Sequence, residues 1–492
     1  MDKFKNSDEK IVLNNENYNN QQKIMEKLIQ DNLNNSITDN NFLFSNILCK
    51  VLWIHKNIFK DSNNVFKQYL IKKNLEFKEA FDVYSGIEEI KAVKFKCLYV
   101  IISGSMFTEF IQLFKENISQ IDCIPIITIF CLNRKKYEKL DNANHPFYNP
   151  GGIHVQYQEL IQTFIKFDSI VKIKIEKNIF NPVYTNECFN FEKIDSIPKL
   201  YFPFIYSKLI EKIEDEEIYE FNKNILKYDN KKITELIYPL TFLNKIPVEI
   251  LVKFWLRIYT LETDFYNSMN CKLMKLKGKE FNTFIKLIYF SLNNKILKNR
   301  CDIFFYRGDI LNNEELKLII SKINSDSIKD KLIYSRRFLS FSSSKNVAQI
   351  FIKNKYINHN NSINYVLYQI EPFNGKIEDA KCYNIDMEYY SEYQNEKEYL
   401  FLPFSPFILK STEKYNLQFN GENIIINSIT LSYIGTYQNI IKTSMKNISS
   451  LDDLSFDLLE KYFLEEIKKY KIFENGEKIW NKIKNIIKQN DI

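Results

Sequence analysis

The stretch Tyr393-Gln-Asn-Glu396-Lys-Glu398-Tyr-Leu-Phe-Leu-Pro403 sets two acids one residue apart, just before a run of apolar residues. In an extended chain, Glu396 and Glu398 face the same way, with Cα atoms roughly 6.5–7 Å apart, and Lys397 points away. Glu398 opens the apolar strand, so its carboxylate is expected to be partly buried beside Glu396. Like charges at that spacing favour a raised pKa on one of them. The competing reading is a solvated charged turn.

Two earlier segments also carry polar groups on apolar runs. In Cys301-Asp-Ile-Phe-Phe-Tyr-Arg307-Gly308, an extended strand puts Ile303, Phe305 and Arg307 on one face. An arginine ending an apolar stripe needs a cleft or a carboxylate. Its forked, permanently charged group suits a diphosphate, and a structural salt bridge at a strand end is the alternative. Gly308 would let a ligand come close to the backbone. In Phe338-Leu-Ser340-Phe-Ser342-Ser-Ser344, alternation puts Ser340, Ser342 and Ser344 on one face, ahead of a helix over Val347–Phe351. These hydroxyls can bond a ribose or hold a carboxylate in place. Equally, Ser344 can serve as the helix N-cap.

Composition removes several classes. The chain has 492 residues, with 68 lysines plus arginines against 61 acids, a net charge of +7. That mild excess over such a length is not the basic stripe of a nucleic-acid binder. Only ten glycines occur, and neither G-x-G-x-x-G nor G-x-x-x-x-G-K-[ST] is present. Rossmann and P-loop phosphate turns are therefore missing. The eight cysteines form no C-x-x-C pair, and with four histidines they give no zinc spacing, so no metal is expected. The opening MDKFKNSDEK lacks the apolar core of a secretory leader, and the longest apolar stretches fall far short of the ~20 residues that cross a bilayer. The scattered thiols then read as reduced cysteines of a cytoplasmic protein with no membrane partner.

Along the chain, residues 1–41 hold eleven asparagines and read as a flexible tail. Residues 42–180 alternate strands and helices: strands at Val51–Ile54, Phe77–Tyr84, Cys97–Ile102, Ile124–Leu132 and Ile170–Ile175, helices at Asn64–Lys73, Phe107–Asn117 and Val155–Ile165. Continuous apolar strands between helices predict a parallel sheet covered on both faces, of flavodoxin-like or receiver-like α/β type. The third strand ends Ile101-Ile-Ser103-Gly104, without the aspartate a receiver needs, which suggests a regulatory or docking module. His145 to Gly152 reads as a loop. Residues 181–235 read as a helical connector. Residues 236–437 read as α+β, with helices at Glu249–Tyr259 and Phe281–Leu292 and strands near 302–306, 364–370, 398–402 and 423–433. Residues 438–492 return to helical spacing.

In this order, the three segments resemble the mono-ADP-ribosyltransferase family, in its arginine-modifying branch. That branch carries an Arg on its first strand, a Phe-x-Ser-Thr-Ser segment on a later one, and Glu-x-Glu on a loop before another. Arg307 matches the first. Phe338-Leu-Ser340-Phe341-Ser342 matches the second, with Phe341 in place of the threonine. Glu396-Lys-Glu398 matches the third. The lead-in Tyr259-Thr-Leu-Glu-Thr-Asp-Phe-Tyr-Asn-Ser-Met-Asn270 is similar too. The resemblance covers about 236–437. It implies an ADP-ribosyltransferase fold for this part, NAD as co-substrate and protein arginine side chains as acceptors. By resemblance, Glu398 holds the ribose 2′-hydroxyl and Glu396 orients the incoming guanidinium. Ser340 positions Glu398 and the ribose, Ser342 joins the dinucleotide site, Arg307 grips the phosphates, and the backbone near Gly308 meets the carboxamide. An NAD glycohydrolase, or a catalytically silent interaction protein, stays open as an alternative.

Overall fold

The computed structural model describes residues 48–56, 63–72, 75–131, 133–137, 148–156, 192–193, 215–226, 246–261, 264–274, 281–358, 363–373, 384–403 and 405–433, with isolated positions among 159–163 and 233–240. The tail 1–41, the strand expected at Ile170–Ile175, most of the connector and the extension 438–492 lie outside them. The chain divides into two units. One comprises residues 1–179 and 222–254, the other 180–221 and 255–492.

In the first unit, β1 (Leu48–Ile54), β2 (Glu76–Ala80), β3 (Lys94–Ser103), β4 (Asp122–Phe130) and β5 (Tyr148–His154) form one sheet in the order β2-β1-β3-β4-β5. Every pairing is parallel. The interior strands are apolar along most of their length because both faces are covered, and β4 is buried at every position. Helices α1 (Asn63–Lys72), α2 (Val83–Lys91) and α3 (Phe107–Asn117) connect the strands. Helix α3 buries Phe107, Phe110, Ile111 and Phe114, the spacing read from the sequence.

Two expectations in this unit need correction. The strand expected over Phe77–Tyr84 stops at Ala80, because Asp82 caps a new helix by accepting the Ser85 N–H at 2.7 Å. The loop expected over His145–Gly152 contains the start of β5. Among the described residues that strand stands at the sheet edge, where a proline is tolerated.

In the second unit, nine strands form a mixed sheet: β6 (Glu192–Lys193), β7 (Phe305–Leu311), β8 (Leu332–Tyr334), β9 (Leu339–Ser342), β10 (Asn364–Glu371), β11 (Asn384–Asp386), β12 (Glu398–Phe401), β13 (Pro406–Phe419) and β14 (Glu422–Tyr433). Their order is β11-β12-β9-β7-β10-β14-β13-β8-β6. Among the described residues, only β10 and β14 pair in parallel. The helices are α4 (Asp215–Ile225), α5 (Val248–Tyr259), α6 (Asp264–Met274), α7 (Asn282–Asn293), α8 (Asn313–Ile323), the single turn α9 (Ile328–Lys331) and α10 (Lys345–Asn358). The unit boundaries pass within α4 and α5, so α5 belongs to the second unit from Trp255 onward.

One sheet face buries Phe305, Phe341, Tyr399, Phe401, Phe407 and Tyr433 in a single cluster. Here too the strand edges differ from expectation. β7 starts at Phe305 and runs on to Leu311, so Arg307 sits inside the strand, not at its end. Ile303 precedes it. Helix α10 runs well past Phe351.

Candidate active site

Six residues singled out in the sequence, Arg307, Gly308, Ser340, Ser342, Glu396 and Glu398, line one cavity of about 190 Å³ in the second unit. Three separate parts of the sheet bring them there. β9 pairs antiparallel with β12, which sets Ser342 opposite Glu398 and Ser340 opposite Leu400. β7 meets β9 through Tyr306 and Ser342. Because side chains alternate, Ser340 and Ser342 turn to the cavity side while the Phe341 ring packs on Phe401 at 5.2 Å. That explains how an apolar residue is accommodated between the serines.

Arg307 is held on three sides. Its Nε and Nη2 both reach Asp309 Oδ2, each at 3.1 Å, and Nη1 donates to the Ser340 carbonyl at 2.9 Å. Burial opposes the guanidinium charge, but Asp309 outweighs it and holds the pKa above the ordinary range. Lys355 Nζ donates to the other carboxylate oxygen of Asp309 at 2.8 Å, and the Ile310 N–H adds a bond at 3.0 Å. Burial would raise the Asp309 pKa, yet the two cations pull it far below the usual carboxylate range. Two positive groups thus share one carboxylate, so this cluster carries one net positive charge on the part of the wall it forms, while Glu396 and Glu398 bring two acids to another part of the lining. The positive part is suited to an anionic ligand.

Asp309 and Lys355 were not singled out in the sequence. A signal for Asp309 existed. It stands two residues from Arg307 on a strand, and so on the same face. Lys355 lies far along α10, and only the folded chain brings it there.

Gly308 answers a different need from the one expected. A Cβ there would lie 2.2 Å from the Ala348 carbonyl oxygen and 2.7 Å from Ile352 Cγ1. The missing side chain makes room for helix α10, while the Gly308 backbone still borders the cavity.

The glutamates are not two positions of one strand. Glu396 ends a 3-10 turn over Gln394–Glu396, Lys397 takes a left-handed conformation (φ 48°), and β12 begins at Glu398. The extended reading failed because the turn closes through Glu396 N–H to the Tyr393 carbonyl. Glu398 is 9% exposed and Glu396 half-buried.

Ser342, not Ser340, ties this loop down. Its hydroxyl donates to the Glu396 carbonyl at 2.6 Å and accepts the Ser344 N–H at 3.0 Å. The single hydroxyl proton is thereby committed to the protein. Ser344 stands at the cap position of α10, its carbonyl accepting the Ala348 N–H. The Ser340 link to its neighbours here is through its carbonyl to Arg307. Tyr259, from the end of α5, also lines the cavity. It is buried among Tyr266, Phe284 and Phe338, and burial pushes its phenol well above the ordinary range.

No family model matches the chain, and neither does any curated protein. Some solved structures are similar to part of the chain. The ADP-ribosyltransferase HopU1 of Pseudomonas syringae pv. tomato is 16% identical over 34% of this chain and 66% of its own, with a TM-score of 0.24. The enzymatic component C2-I of the Clostridium botulinum C2 toxin is 16% identical over 37% of this chain and 44% of its own, at 0.27. The type III effector XopAI from Xanthomonas axonopodis pv. citri is 14% identical over 50% of this chain and 96% of its own, at 0.31. The chain thus spans about two thirds of HopU1 and less than half of C2-I. Likeness this distant leaves the functional reading to the geometry of the cavity itself.

Proposed function

We propose that the second unit cleaves NAD and transfers its ADP-ribose to arginine side chains of proteins, releasing nicotinamide. The observation that supports this is the convergence of Arg307, Ser340, Glu396 and Glu398 on one cavity from segments far apart in sequence. Breaking the nicotinamide–ribose bond takes the ribose through an oxocarbenium-like state. A carboxylate on the 2′-hydroxyl strengthens its hold as that charge develops, and one preorganised group of this kind contributes about 10²–10³ in rate. Glu398, fixed at the start of β12, takes that role. Glu396, on the turn ahead of it, orients the acceptor guanidinium and receives its proton. Arg307 and the charge surplus around it hold the diphosphate. Ser340 bounds the ribose site, and Ser342 shapes it through the loop it ties.

We read the first unit as a regulatory or docking module of flavodoxin-like type, since its strand order 2-1-3-4-5 is that of doubly wound sheets. The whole acts on protein in the cytoplasm, without nucleic acid or membrane as partner.

The test is incubation of the full chain with NAD and agmatine, an arginine mimic. Wild type is expected to form ADP-ribosyl-agmatine. Glu398→Gln should lose nearly all nicotinamide release, and Glu396→Gln should lose transfer while keeping NAD hydrolysis. Nicotinamide release by wild type without any transfer would favour a glycohydrolase, and transfer unchanged in both variants would end the role assignment.

A further inference from the structure

The loop that carries the two glutamates is held at its base by a residue outside the three segments that supply the cavity's polar groups. Arg257, in the last turn of α5, donates from Nη1 to two successive carbonyls, Tyr390 at 3.2 Å and Ser391 at 2.5 Å. Its Nη2 pairs with the Glu392 carboxylate. Three residues on, Thr260 Oγ1 accepts the Glu392 N–H at 3.2 Å and donates to the Arg257 carbonyl at 2.9 Å. One helix end thus grips three consecutive loop residues through four bonds.

Downstream, the loop has two different fates. Glu398 is anchored by sheet register to Ser342, and its carbonyl accepts the Met387 N–H at 2.9 Å. Glu396 is held through the turn, by the 3-10 bond from its N–H to the Tyr393 carbonyl and by the Ser342 hydroxyl on its own carbonyl, and the next carbonyl, of Lys397, accepts the Ser343 N–H at 3.1 Å. Tyr393 in turn hangs from the gripped segment, its N–H donating to Ser391 Oγ at 3.0 Å. Loosening the grip on residues 390–392 therefore displaces Glu396 while the ladder keeps Glu398 in place.

We infer that Arg257 is a positioning residue that sets Glu396, and through it the division of ADP-ribose between arginine and water. This rests on the transferase reading above. An arginine is needed because a forked, planar donor spans two carbonyls and a carboxylate at once, which an ammonium group cannot do with the same geometry. Misplacement of a reacting group by 1 Å costs up to about 10² in rate. A loop shift at Glu396 is thus large enough to suppress transfer without touching bond cleavage.

The experiment measures nicotinamide release and ADP-ribosyl-agmatine formation separately, for wild type, Arg257→Gln, Arg257→Lys and Thr260→Val in the full chain. The expected result for Arg257→Gln is a fall in the transfer-to-hydrolysis ratio of roughly tenfold or more, with total nicotinamide release within about twofold of wild type. Arg257→Lys should fall in between, and Thr260→Val, which removes one bond of the four, should fall least. An unchanged ratio in the Arg257 variants overturns the inference. So does a parallel loss of both activities in soluble protein with a wild-type melting temperature. If Arg257→Gln does not fold, the graded order of Arg257→Lys and Thr260→Val decides by the same ratio. A wild type that releases no nicotinamide at all strikes down the transferase reading itself, and that is seen before any variant is made.

Discussion

Asp309 carries an unusual load for one carboxylate: two Arg307 nitrogens, the Lys355 ammonium and a backbone N–H. Replacing it by asparagine takes from two cations, with side-chain exposures of 19% and 33%, the carboxylate they share, a loss of about 1–3 kcal/mol given the solvent that reaches Lys355. The Asp309→Asn variant is therefore expected to unfold at lower urea and to bind NAD more weakly, because the Arg307 fork loses the group that aims it. The pH dependence has a definite sign. The folded pKa lies below the ordinary 3.8, so the stabilisation by Asp309 is complete above that value and fades as pH falls through it. Urea unfolding of wild type and Asp309→Asn at a series of pH values should show a gap in stability that is constant near neutrality and narrows in acid. A gap that widens in acid would contradict the ion-pair account.

At the level of elements, the packing of α10 on β7 is decided by a single missing methyl. Gly308→Ala drives a Cβ into the Ala348 carbonyl, so the helix must lift from the strand. Overpacking of this sort costs about 1–3 kcal/mol. Since α10 also delivers Lys355, thermal unfolding and NAD affinity should fall together. A variant with wild-type melting and binding would show that the helix shifts without cost. This dependence was hidden in the sequence, where Gly308 looked like a place for a ligand.

Other elements show where sequence reading succeeds and why it stops. Helix α3 was legible to the residue, because Phe107, Phe110, Ile111 and Phe114 mark one face without ambiguity. Helix α2 was not, since Phe77 to Tyr84 alternates like a strand and only the Asp82 cap breaks it. β13 escaped notice because most of its 14 residues are polar or half-exposed, as in a hairpin arm with β14 closed by Asn420 and Gly421 in left-handed conformation. The cavity-lining residues could be picked out by the order and spacing of three short segments, but strand alternation describes only Ser340 and Ser342 among them and fails for Glu396, which lies on a turn. Their hydrogen-bond partners could not, because the grip of Arg257 on residues 390–392 joins positions more than 130 apart, which no local pattern records.

At the scale of the whole chain, the division into units does not follow sequence order. Residues 222–254 group with the first unit, so the boundary expected at 236 cuts through that segment. Lys253 shows what the segment contributes. Its ammonium donates to the Ser119 carbonyl at 2.8 Å, the Ile121 carbonyl at 2.9 Å and Asp122 Oδ1 at 2.8 Å, all three protons being used. Both charged groups are nearly fully buried, with side-chain exposures of 6% and 4%. Lys253→Met strands a buried carboxylate and should destabilise the first unit by about 3–5 kcal/mol, whereas Lys253→Met with Asp122→Asn should recover much of the loss. Urea unfolding monitored by circular dichroism separates the two. A single variant no worse than the double would mean the carboxylate finds another partner.

The same lysine imposes a timetable on biosynthesis. Asp122 leaves the ribosome 131 residues ahead of Lys253. At about 5–20 residues per second, the nascent sheet waits on the order of ten seconds with an acid at its heart and no cation to meet it. The first unit can begin to collapse early, but it cannot lock until a segment encoded far downstream has threaded back.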